Sequence, residues 1–229
     1  MKLFSRRFKL LPFAALILFI CPSCFEIIEE VNLNEDGSGF FCFTINMSQS
    51  KLNINSMLLL DSVNGRPVPK IEDFKEALTQ AEATLKEDGN ITNVSSTKNW
   101  DDYIFSVSGN FKNVQALNKA INNMGIIINK TRGVPPAVQD NFSYSDNDKV
   151  FARLYNYNLM NDYKKLSEKD KLAFTNAKYT TIYRFKTPIG SCSNPDAIKS
   201  KSGKAVMLKI NIKDLITNNK TIKNSINLK

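Results

Sequence analysis

Apolar and polar residues alternate over several short stretches of the chain, and this alternation is the pattern of half-buried β-strands. Residues 25–33 alternate loosely, and the next stretch places four apolar side chains on one face, namely Phe41, Phe43, Ile45 and Met47. Residues 34–39 separate the two stretches and contain Asp-Gly, the strongest short hairpin signal. The first two strands are therefore predicted to form an antiparallel hairpin.

Two further hairpins follow the same pattern. Residues 91–98 and 103–111 flank one polar turn, and residues 142–144 and 150–154 flank another. Residues 188–203 are predicted to form a loop. Single strands are predicted on either side of this loop and at the C-terminus, at residues 179–186, 205–213 and, as an edge strand, 222–228. Strands joined by short turns pair in antiparallel fashion.

Apolar residues spaced by three and four predict amphipathic helices between these strands. One helix is predicted after Asn113, a residue type favoured at N-caps, and shorter helices at residues 51–63 and 167–174. The clearest apolar stripe consists of Ile71, Phe74, Leu78, Ala81 and Leu85. The predicted class is α+β, an antiparallel β-sheet of hairpins with two or more amphipathic helices packed on one face.

The N-terminal residues depart from this pattern. Four cations within the first nine residues precede residues 10–20, an uncharged apolar segment of eleven residues. A bilayer-spanning helix needs about 20 apolar residues, whereas the apolar core of a secretory signal has about 7–15. We predict a signal peptide over residues 1–23 and a single domain over 24–229, with a candidate internal boundary near 133–138. The alternatives are a buried core helix and a signal cleaved elsewhere.

Part of the net positive charge of the chain comes from residues 1–23. Without residues 1–23, Lys plus Arg falls from 31 to 27 against 22 acids, which lowers the net charge from +9 to +5. A mild excess of cations is usually a solvated surface and only a weak sign of anionic partners. No Arg-rich run with interleaved aromatic residues indicates nucleic-acid binding. No nucleic-acid partner is predicted.

The chain contains no histidine, which excludes histidine-based acid–base catalysis and most zinc sites. Residues 32–43 begin like a calcium-binding EF-hand loop, but Phe43 stands where the bidentate glutamate belongs. A pair of catalytic carboxylates is an open alternative, although no acidic pair stands out from the turns. The sequence predicts no metal site, no cofactor and no catalytic residue.

Two cysteines, Cys42 and Cys192, lie in the predicted domain beyond residue 24. Secretion would expose them to an oxidising compartment, where disulfides persist. The two residues are therefore candidates for a disulfide. Alternatively, Cys42 lies in a predicted strand and could serve as a small buried hydrophobic residue.

Three short motifs occur in the order found in penicillin-binding proteins and class A β-lactamases. Ser95 and Lys98 form S-x-x-K, residues 145–147 read S-D-N, and residues 201–203 resemble K-T-G. That chemistry requires the serine and the lysine on one turn of a helix, whereas Ser95 lies in a predicted strand. A strand would place Ser95 and Lys98 on opposite faces, and this placement distinguishes an enzyme from a chance match.

Residues 21–24, Cys-Pro-Ser-Cys, resemble the end of a bacterial lipoprotein signal, the lipobox, in which a small residue precedes the cysteine that becomes the mature N-terminus. The resemblance implies lipidation of Cys24, with diacylglycerol on its sulfur and a further fatty acid on its amine. Cys21 stands where the motif usually has an aliphatic residue, and Ser23 favours Cys24 as the modified residue. Three acyl chains would anchor the protein stably without spanning the bilayer.

Two other stretches carry resemblances. Residues 61–63, Asp-Ser-Val, resemble O-glycosylation sites of Bacteroidota, which makes Ser62 a candidate for O-glycosylation. Residues 24–39, with their N-x-D-G-S-G hairpin, and residues 179–215 are similar to LppM-like domains and to Bacteroidota lipoproteins. This resemblance implies an α+β domain in which a sheet and helices enclose, in some members, a cavity for lipids or glycolipids.

The predicted function is that of a non-enzymatic binding or accessory module of the cell envelope, lipid-anchored to the outer membrane on either its periplasmic or its surface side. Its partners would be the membrane and a lipid or envelope protein. One alternative is a lipid or glycolipid carrier, which requires a sizeable apolar cavity. A second is a serine acyl-enzyme that uses Ser95 and Lys98. Because a strand is predicted from Phe25, the domain is expected to lie close to the membrane.

Overall fold

The structure is a computed structural model that describes residues 25–63, 66–68, 70–130 and 138–229. The predicted signal peptide, Cys24 and all but the last residue of the candidate boundary at 133–138 lie outside the described residues. Both boundaries therefore remain predictions.

The described residues form strands and helices in the order that the hydrophobic pattern predicts, with additions at residues 62–63, 66–67 and 160–164 and after residue 188. The predicted helix 51–63 ends at Leu58, and the last two residues of that range form a strand. The strands are β1 (Glu26–Leu33), β2 (Gly39–Asn46), β3 (Ser62–Val63), β4 (Arg66–Pro67), β5 (Ile91–Asn99), β6 (Ile104–Phe111), β7 (Phe142–Ser145), β8 (Val150–Arg153), β9 (Lys178–Phe185), β10 (Ile189–Cys192), β11 (Ile198–Lys199), β12 (Ala205–Asn211) and β13 (Asn224–Leu228). The α-helices are α1 (Lys51–Leu58), α2 (Ile71–Glu87), α3 (Val114–Lys130), α4 (Met160–Lys164), α5 (Glu168–Lys171) and α6 (Ile212–Ile216).

The larger sheet has seven strands in the order β11-β12-β9-β1-β2-β6-β5. Its neighbouring strands are antiparallel except for the central pair β1 and β9, which run parallel with Glu29 opposite Thr181. A second sheet has four antiparallel strands in the order β10-β13-β8-β7. The predicted α+β class is confirmed, and the parallel pair is the exception to the predicted antiparallel pairing.

One face of the seven-stranded sheet, the inner face, is covered by the four-stranded sheet together with α2 and α3. The main core lies between these layers because the inward residues of each strand alternate with polar ones. Fully buried members from every layer are Val31, Phe41, Leu85, Leu117, Phe151, Tyr183 and Ile226. The opposite, outer face carries many polar side chains, including Asn32, Thr44, Ser95, Ser106 and Asn110.

The two ends of the seven-stranded sheet differ in what they carry. At the N-terminal end, β1 begins beside the last residue of β2 and the first residue of β9, since Glu26 pairs with both Asn46 and Lys178. At the opposite end, the turn end, residues 34–38 connect β1 to β2. Gly37 at φ +79° supplies the left-handed conformation that this turn requires.

Three predicted elements after residue 188 were wrong in detail. The predicted loop 188–203 contains β10 and β11, and β10 pairs with β13, so the predicted edge strand at the C-terminus lies inside its sheet. The predicted strand 205–213 ends at Asn211, whose side chain accepts a hydrogen bond from the Lys213 amide (2.8 Å) and caps α6.

Among the helices of the described residues, none has both the length and the apolar character that crossing a bilayer requires.

Candidate functional site

A buried ion pair joins the two sheets through the main core. Glu29 occupies an inward position of β1 and is 1% exposed, and Arg153 ends β8 and is 4% exposed. The guanidinium donates two hydrogen bonds to the carboxylate, Nε to Oε1 at 3.0 Å and Nη2 to Oε2 at 2.9 Å. This bidentate geometry gives a strong and specific charge-assisted pair.

Two tyrosines of β9 complete the cluster around the carboxylate. Tyr179 donates its hydroxyl to Glu29 Oε2 at 2.7 Å, and Tyr183 donates to Oε1. Burial and the neighbouring Glu29 carboxylate raise the pKa of both tyrosines, so both stay protonated and act as donors. Burial alone would lower the pKa of Arg153, but attraction to Glu29 outweighs it and raises that pKa well above its ordinary value.

The remaining contacts of Arg153 hold the start of the four-stranded sheet. Its Nη1 donates to the carbonyls of Leu154 (2.5 Å) and Asn141 (3.2 Å), and its guanidinium lies 4.9 Å from the centre of the Phe142 ring. Every group of the cluster is thus engaged with another group of the protein. We assign it the role of an internal connection between the sheets, since its carboxylate and guanidinium are already occupied.

The serine and lysine of the S-x-x-K motif are not brought together. Ser95 is exposed on the outer face of β5, opposite Ser108. Lys98 lies on the inner face and forms an ion pair with Glu82 of α2, at 3.0 Å between Nζ and Oε2. Residues three apart in a strand point to opposite faces. The acyl-enzyme alternative therefore loses its nucleophile–base pair.

The two candidate disulfide cysteines are free thiols in different sheets. Cys42 lies on the outer face of β2, with its sulfur 3.8 Å from Thr44 Oγ1. Cys192 lies in β10 and packs against the main core. Burial is the main cause that raises the pKa of both thiols, which keeps them in the less reactive protonated form. The structure does not join the pair.

The candidate glycosylation site, Ser62, lies in β3, which pairs with β4 away from both larger sheets. Its side chain is exposed. The candidate lipidation site, Cys24, immediately precedes the described residue Phe25.

A cleft of about 580 Å³ crosses the turn end of the seven-stranded sheet. Its apolar back wall consists of Leu33, Phe111 and Phe185, all nearly fully buried. Its polar lining consists of Asn32, Asn34, Ser38, Asn110, Arg184 and Lys186. The cleft is open to solvent, so it is not the enclosed apolar cavity that a lipid carrier needs.

One row of residues across four adjacent strands forms the outer side of this cleft. Arg184 of β9 pairs with Asn32 of β1, Asn32 pairs with Phe40 of β2, and Phe40 pairs with Asn110 of β6. Phe40 is 36% exposed, an aromatic ring flanked on both sides by amides. Arg184 Nη1 is held at 2.7 Å from Glu30 Oε2 and 3.4 Å from Asn32 Oδ1, so its position is fixed without a ligand.

A close backbone approach shapes the floor of the cleft. A Cβ added at Gly39 would lie 2.2 Å from the Asn32 carbonyl oxygen and 2.5 Å from Phe111 Cζ. Only glycine therefore allows β2 to lie this close to both the β1 backbone and the Phe111 ring of β6. The cleft combines amide donors and acceptors, two cations and one accessible ring, which suits a polar ligand with several hydroxyl or acidic groups.

The sequence prediction did not identify the cleft. Its residues come from four strands, and their order in the sheet depends on the parallel pairing of β1 with β9. One signal was present in the sequence: Phe40 falls on the polar face of β2, opposite to Phe41 and Phe43. A single aromatic residue on a polar strand face is common on protein surfaces, so this signal alone could not have located the cleft.

Comparisons with known proteins give little beyond overall likeness. No protein-family model matches the chain, and no curated protein matches it. Among solved structures, the folded domain of the LppM protein from Mycobacterium tuberculosis, determined by NMR, matches with 13% sequence identity over 89% of each chain and a TM-score of 0.41. Similarity to LppM-like domains was also predicted from residues 24–39 and 179–215 of the sequence. The similarity to this mycobacterial structure is too remote to assign any residue a role.

Proposed function

We propose that the chain is a cell-envelope lipoprotein, acylated at Cys24 and held on the outer membrane, whose cleft at the turn end binds a polar ligand without chemical turnover. The observation that carries this proposal is the direction of β1. The strand begins at Glu26, two residues after Cys24, and runs for eight residues towards the cleft. At 3.3 Å per residue, the anchor and the cleft are separated by about 25 Å along β1.

This arrangement supports a module that presents its binding surface away from the membrane. The cationic leader with its apolar residues 10–20 supports export, and the small residue before Cys24 supports acylation there. With almost no linker, the domain lies close to the bilayer, and the cleft lies at the end of the sheet that is farther from the anchor.

The chemistry of the cleft supports a carbohydrate-like ligand. The exposed Phe40 ring offers an apolar surface for the C–H face of a sugar, and Asn32 and Asn110 offer both donors and acceptors to its hydroxyls. Lys186 adds positive charge for an acidic substituent, whereas the charge of Arg184 is partly balanced by Glu30. The carrier alternative finds no comparable support, because the cleft is open and its rim is polar.

Metabolic labelling with an alkyne fatty acid tests the anchor. The full chain is expressed in a bacterial host, and incorporation is compared between wild type, Cys24→Ala and Cys21→Ala. Wild type and Cys21→Ala are expected to label, and Cys24→Ala is expected to lose the label. A Cys24→Ala protein that still labels would refute the site.

Titration with a panel of soluble neutral and acidic oligosaccharides tests the cleft. Loss of one well-packed contact typically costs about 1–3 kcal/mol, so Phe40→Ala or Arg184→Gln should weaken binding by about 5-fold to 150-fold. Met207→Ala is the matched control, since Met207 is 39% exposed on a neighbouring strand and does not line the cleft. Equal affinities for wild type and both cleft variants would contradict the proposed site.

A further inference from the structure

Exposed apolar side chains are concentrated at the N-terminal end of the seven-stranded sheet. Large hydrophobic residues are exposed there in two segments, residues 52–60 and 159–172. They are Leu52 (77% exposed), Met57 (44%), Leu59 (86%), Leu60 (52%), Leu159 (40%) and Leu172 (62%). We call these six residues the apolar collar. A concentration of this kind on one end of a domain marks a contact surface.

Connections in the sheet place the first segment beside Phe25. Helix α1 follows the end of β2, where Asn46 pairs with Glu26. The helix is held there by Tyr103, whose hydroxyl donates to Asn55 Oδ1 at 2.5 Å, and by an ion pair of 3.2 Å between Lys51 and Asp102. No residue of α1 is buried, so its apolar side chains are not used in the core.

The second segment lies on the other side of Phe25. The Phe25 ring packs edge-on against Phe174 at 6.1 Å, and the Lys178 amide donates to the Phe25 carbonyl at 2.9 Å. Tyr163 of α4 contacts Phe174 in turn, at 5.9 Å between ring centres. Strands β9, β1, β2 and β6 are adjacent, so the two segments are attached to strands about 14 Å apart.

The identity of the occupant follows from what precedes Phe25. The described chain begins one residue after the proposed acylation site, and residues 10–20 before it are apolar. Acylation of Cys24 would place hydrocarbon next to Phe25, between the two segments of the collar. A lipid bilayer is the partner that would contact both an acyl chain next to Phe25 and the exposed leucines on either side of it.

The charged residues at the collar end do not indicate an electrostatic mode of membrane binding. Segment 159–178 carries five lysines against three acids, while the turn at residues 99–103 carries two aspartates and no cation. The charges at this end nearly cancel, so electrostatic attraction to anionic lipids is weak. Contact with the bilayer would depend on burial of the leucine side chains.

We propose that the apolar collar inserts into the bilayer interface as a second membrane contact, which fixes the domain upright with its cleft pointing away from the membrane. This inference rests on the proposed function, because the anchor brings the collar to the bilayer. It adds an orientation that an anchor alone does not impose.

The single tryptophan of the chain offers a direct probe. Trp100 lies in the turn between β5 and β6, beside the residues that hold α1, and is half-buried. The full-length protein is reconstituted into phosphatidylcholine vesicles whose acyl chains carry bromine near the headgroup. Bromine quenches tryptophan fluorescence at short range, so quenching reports contact between the collar end and the bilayer. Flotation of the same samples reports anchoring separately.

In wild type, the protein is expected to float with the vesicles and its fluorescence to be quenched. The triple variant Leu52→Ser, Leu59→Ser, Leu60→Ser should still float but lose most of the quenching. The matched control is Ile198→Ser with Met207→Ser, two exposed apolar residues of β11 and β12 outside the collar, and it should behave as wild type. Circular dichroism should be the same for all three proteins, because the replaced side chains are exposed.

The outcomes separate the two proposals. A wild-type protein that floats without quenching overturns the collar and leaves the anchor standing. Flotation that survives Cys24→Ala but is lost in the triple variant overturns acylation at Cys24 and supports the collar. Equal quenching in the wild type and the triple variant overturns the collar. A wild-type protein that does not float with the vesicles overturns both the anchor and the collar.

Discussion

At the scale of single residues, the structure depends on a charge that the strand pattern does not predict. Glu29 lies in a run of inward-facing β1 positions that otherwise reads as apolar, between Ile27 and Val31. A buried carboxylate is costly unless it is paired and hydrogen-bonded, and here Arg153 and two tyrosines supply the partners. Sequence reasoning could not find these partners because they lie more than 120 residues further along the chain.

Replacement of Glu29 by Gln is expected to lower the free energy of unfolding by about 3–5 kcal/mol, because it leaves Arg153 buried without its counter-charge. Urea unfolding followed by circular dichroism measures the change. Glu30→Gln is the matched control on the same strand, since its pair with Arg184 is partly exposed and contributes about 1 kcal/mol or less. Similar losses for both variants would contradict the assigned role of the buried cluster.

The two cysteines give a second test at this scale. Cys42 and Cys192 are expected to be recovered as free thiols when the protein is purified under oxidising conditions, unfolded, alkylated and mapped by mass spectrometry. Their raised pKa values and their places in different sheets both oppose pairing. Recovery of a Cys42–Cys192 cross-linked peptide would contradict this placement.

At the scale of elements, the long strands and helices up to residue 187 follow the predicted pattern, whereas the short elements β3, β4 and α4 and several of those after residue 188 do not. The hairpins β1–β2, β5–β6 and β7–β8 were predicted from local alternation and turn chemistry. The short strand β10 has no alternation or turn signal of its own. It forms a strand because it pairs with β13, which is itself positioned by its pairing with β8. In α6, Ile212, Leu215 and Ile216 are buried at helical spacing, so the period changes from two to three and four after Asn211.

Helix α2 is attached to the edge strand β5 through Glu82. Its carboxylate binds Lys86 at 2.7 Å, Ser96 at 2.5 Å and Lys98 at 3.0 Å, and these contacts lower its pKa from 4.5 to about 2. A lowered pKa means that the ionised form stabilises the fold above pH 4.5 and that this stability is lost as the pH falls towards 2.

Glu82→Gln should therefore cost about 1 kcal/mol at neutral pH, where the partly exposed pairs are intact, and nothing near pH 2. Thermal unfolding of both proteins across this range measures the difference. A gap between wild type and variant that stays constant from neutral pH to the acid limit would show that the carboxylate does not act through its charge.

A substitution at Gly39 tests whether the close approach of β1 and β2 at the turn end is required for stability. Gly39→Ala is expected to destabilise the fold by about 3 kcal/mol or more, because the new methyl group would overlap the Asn32 carbonyl and the Phe111 ring. Gly125→Ala in α3 is the control: no atom lies within 4 Å of its Cβ position, and alanine favours helix by about 0.5–1 kcal/mol. Denaturant midpoints of the two variants should move in opposite directions.

At the scale of the whole molecule, the two ends of the seven-stranded sheet carry different surfaces: the cleft at the turn end and the apolar collar at the N-terminal end. The sequence predicted the anchor and the closeness of the domain to the membrane, because both depend on residues adjacent in the chain. It did not predict the cleft or the apolar collar. The cleft assembles Arg184 with Asn32 and Phe40, and the collar assembles α1 with residues 159–172, so both require the long-range order of strands.

The parallel pair β1 and β9 also has a consequence for how the chain folds. Glu29 in the central strand needs Arg153, Tyr179 and Tyr183, which lie 124, 150 and 154 residues later. Contacts of such separation slow folding, because the intervening chain must be ordered before they form. During synthesis the N-terminal strand emerges first and stays unpaired on one edge until the last quarter of the chain arrives. The protein therefore cannot complete its central sheet until β9 has been synthesised, and β1 is exposed to wrong pairing throughout that interval.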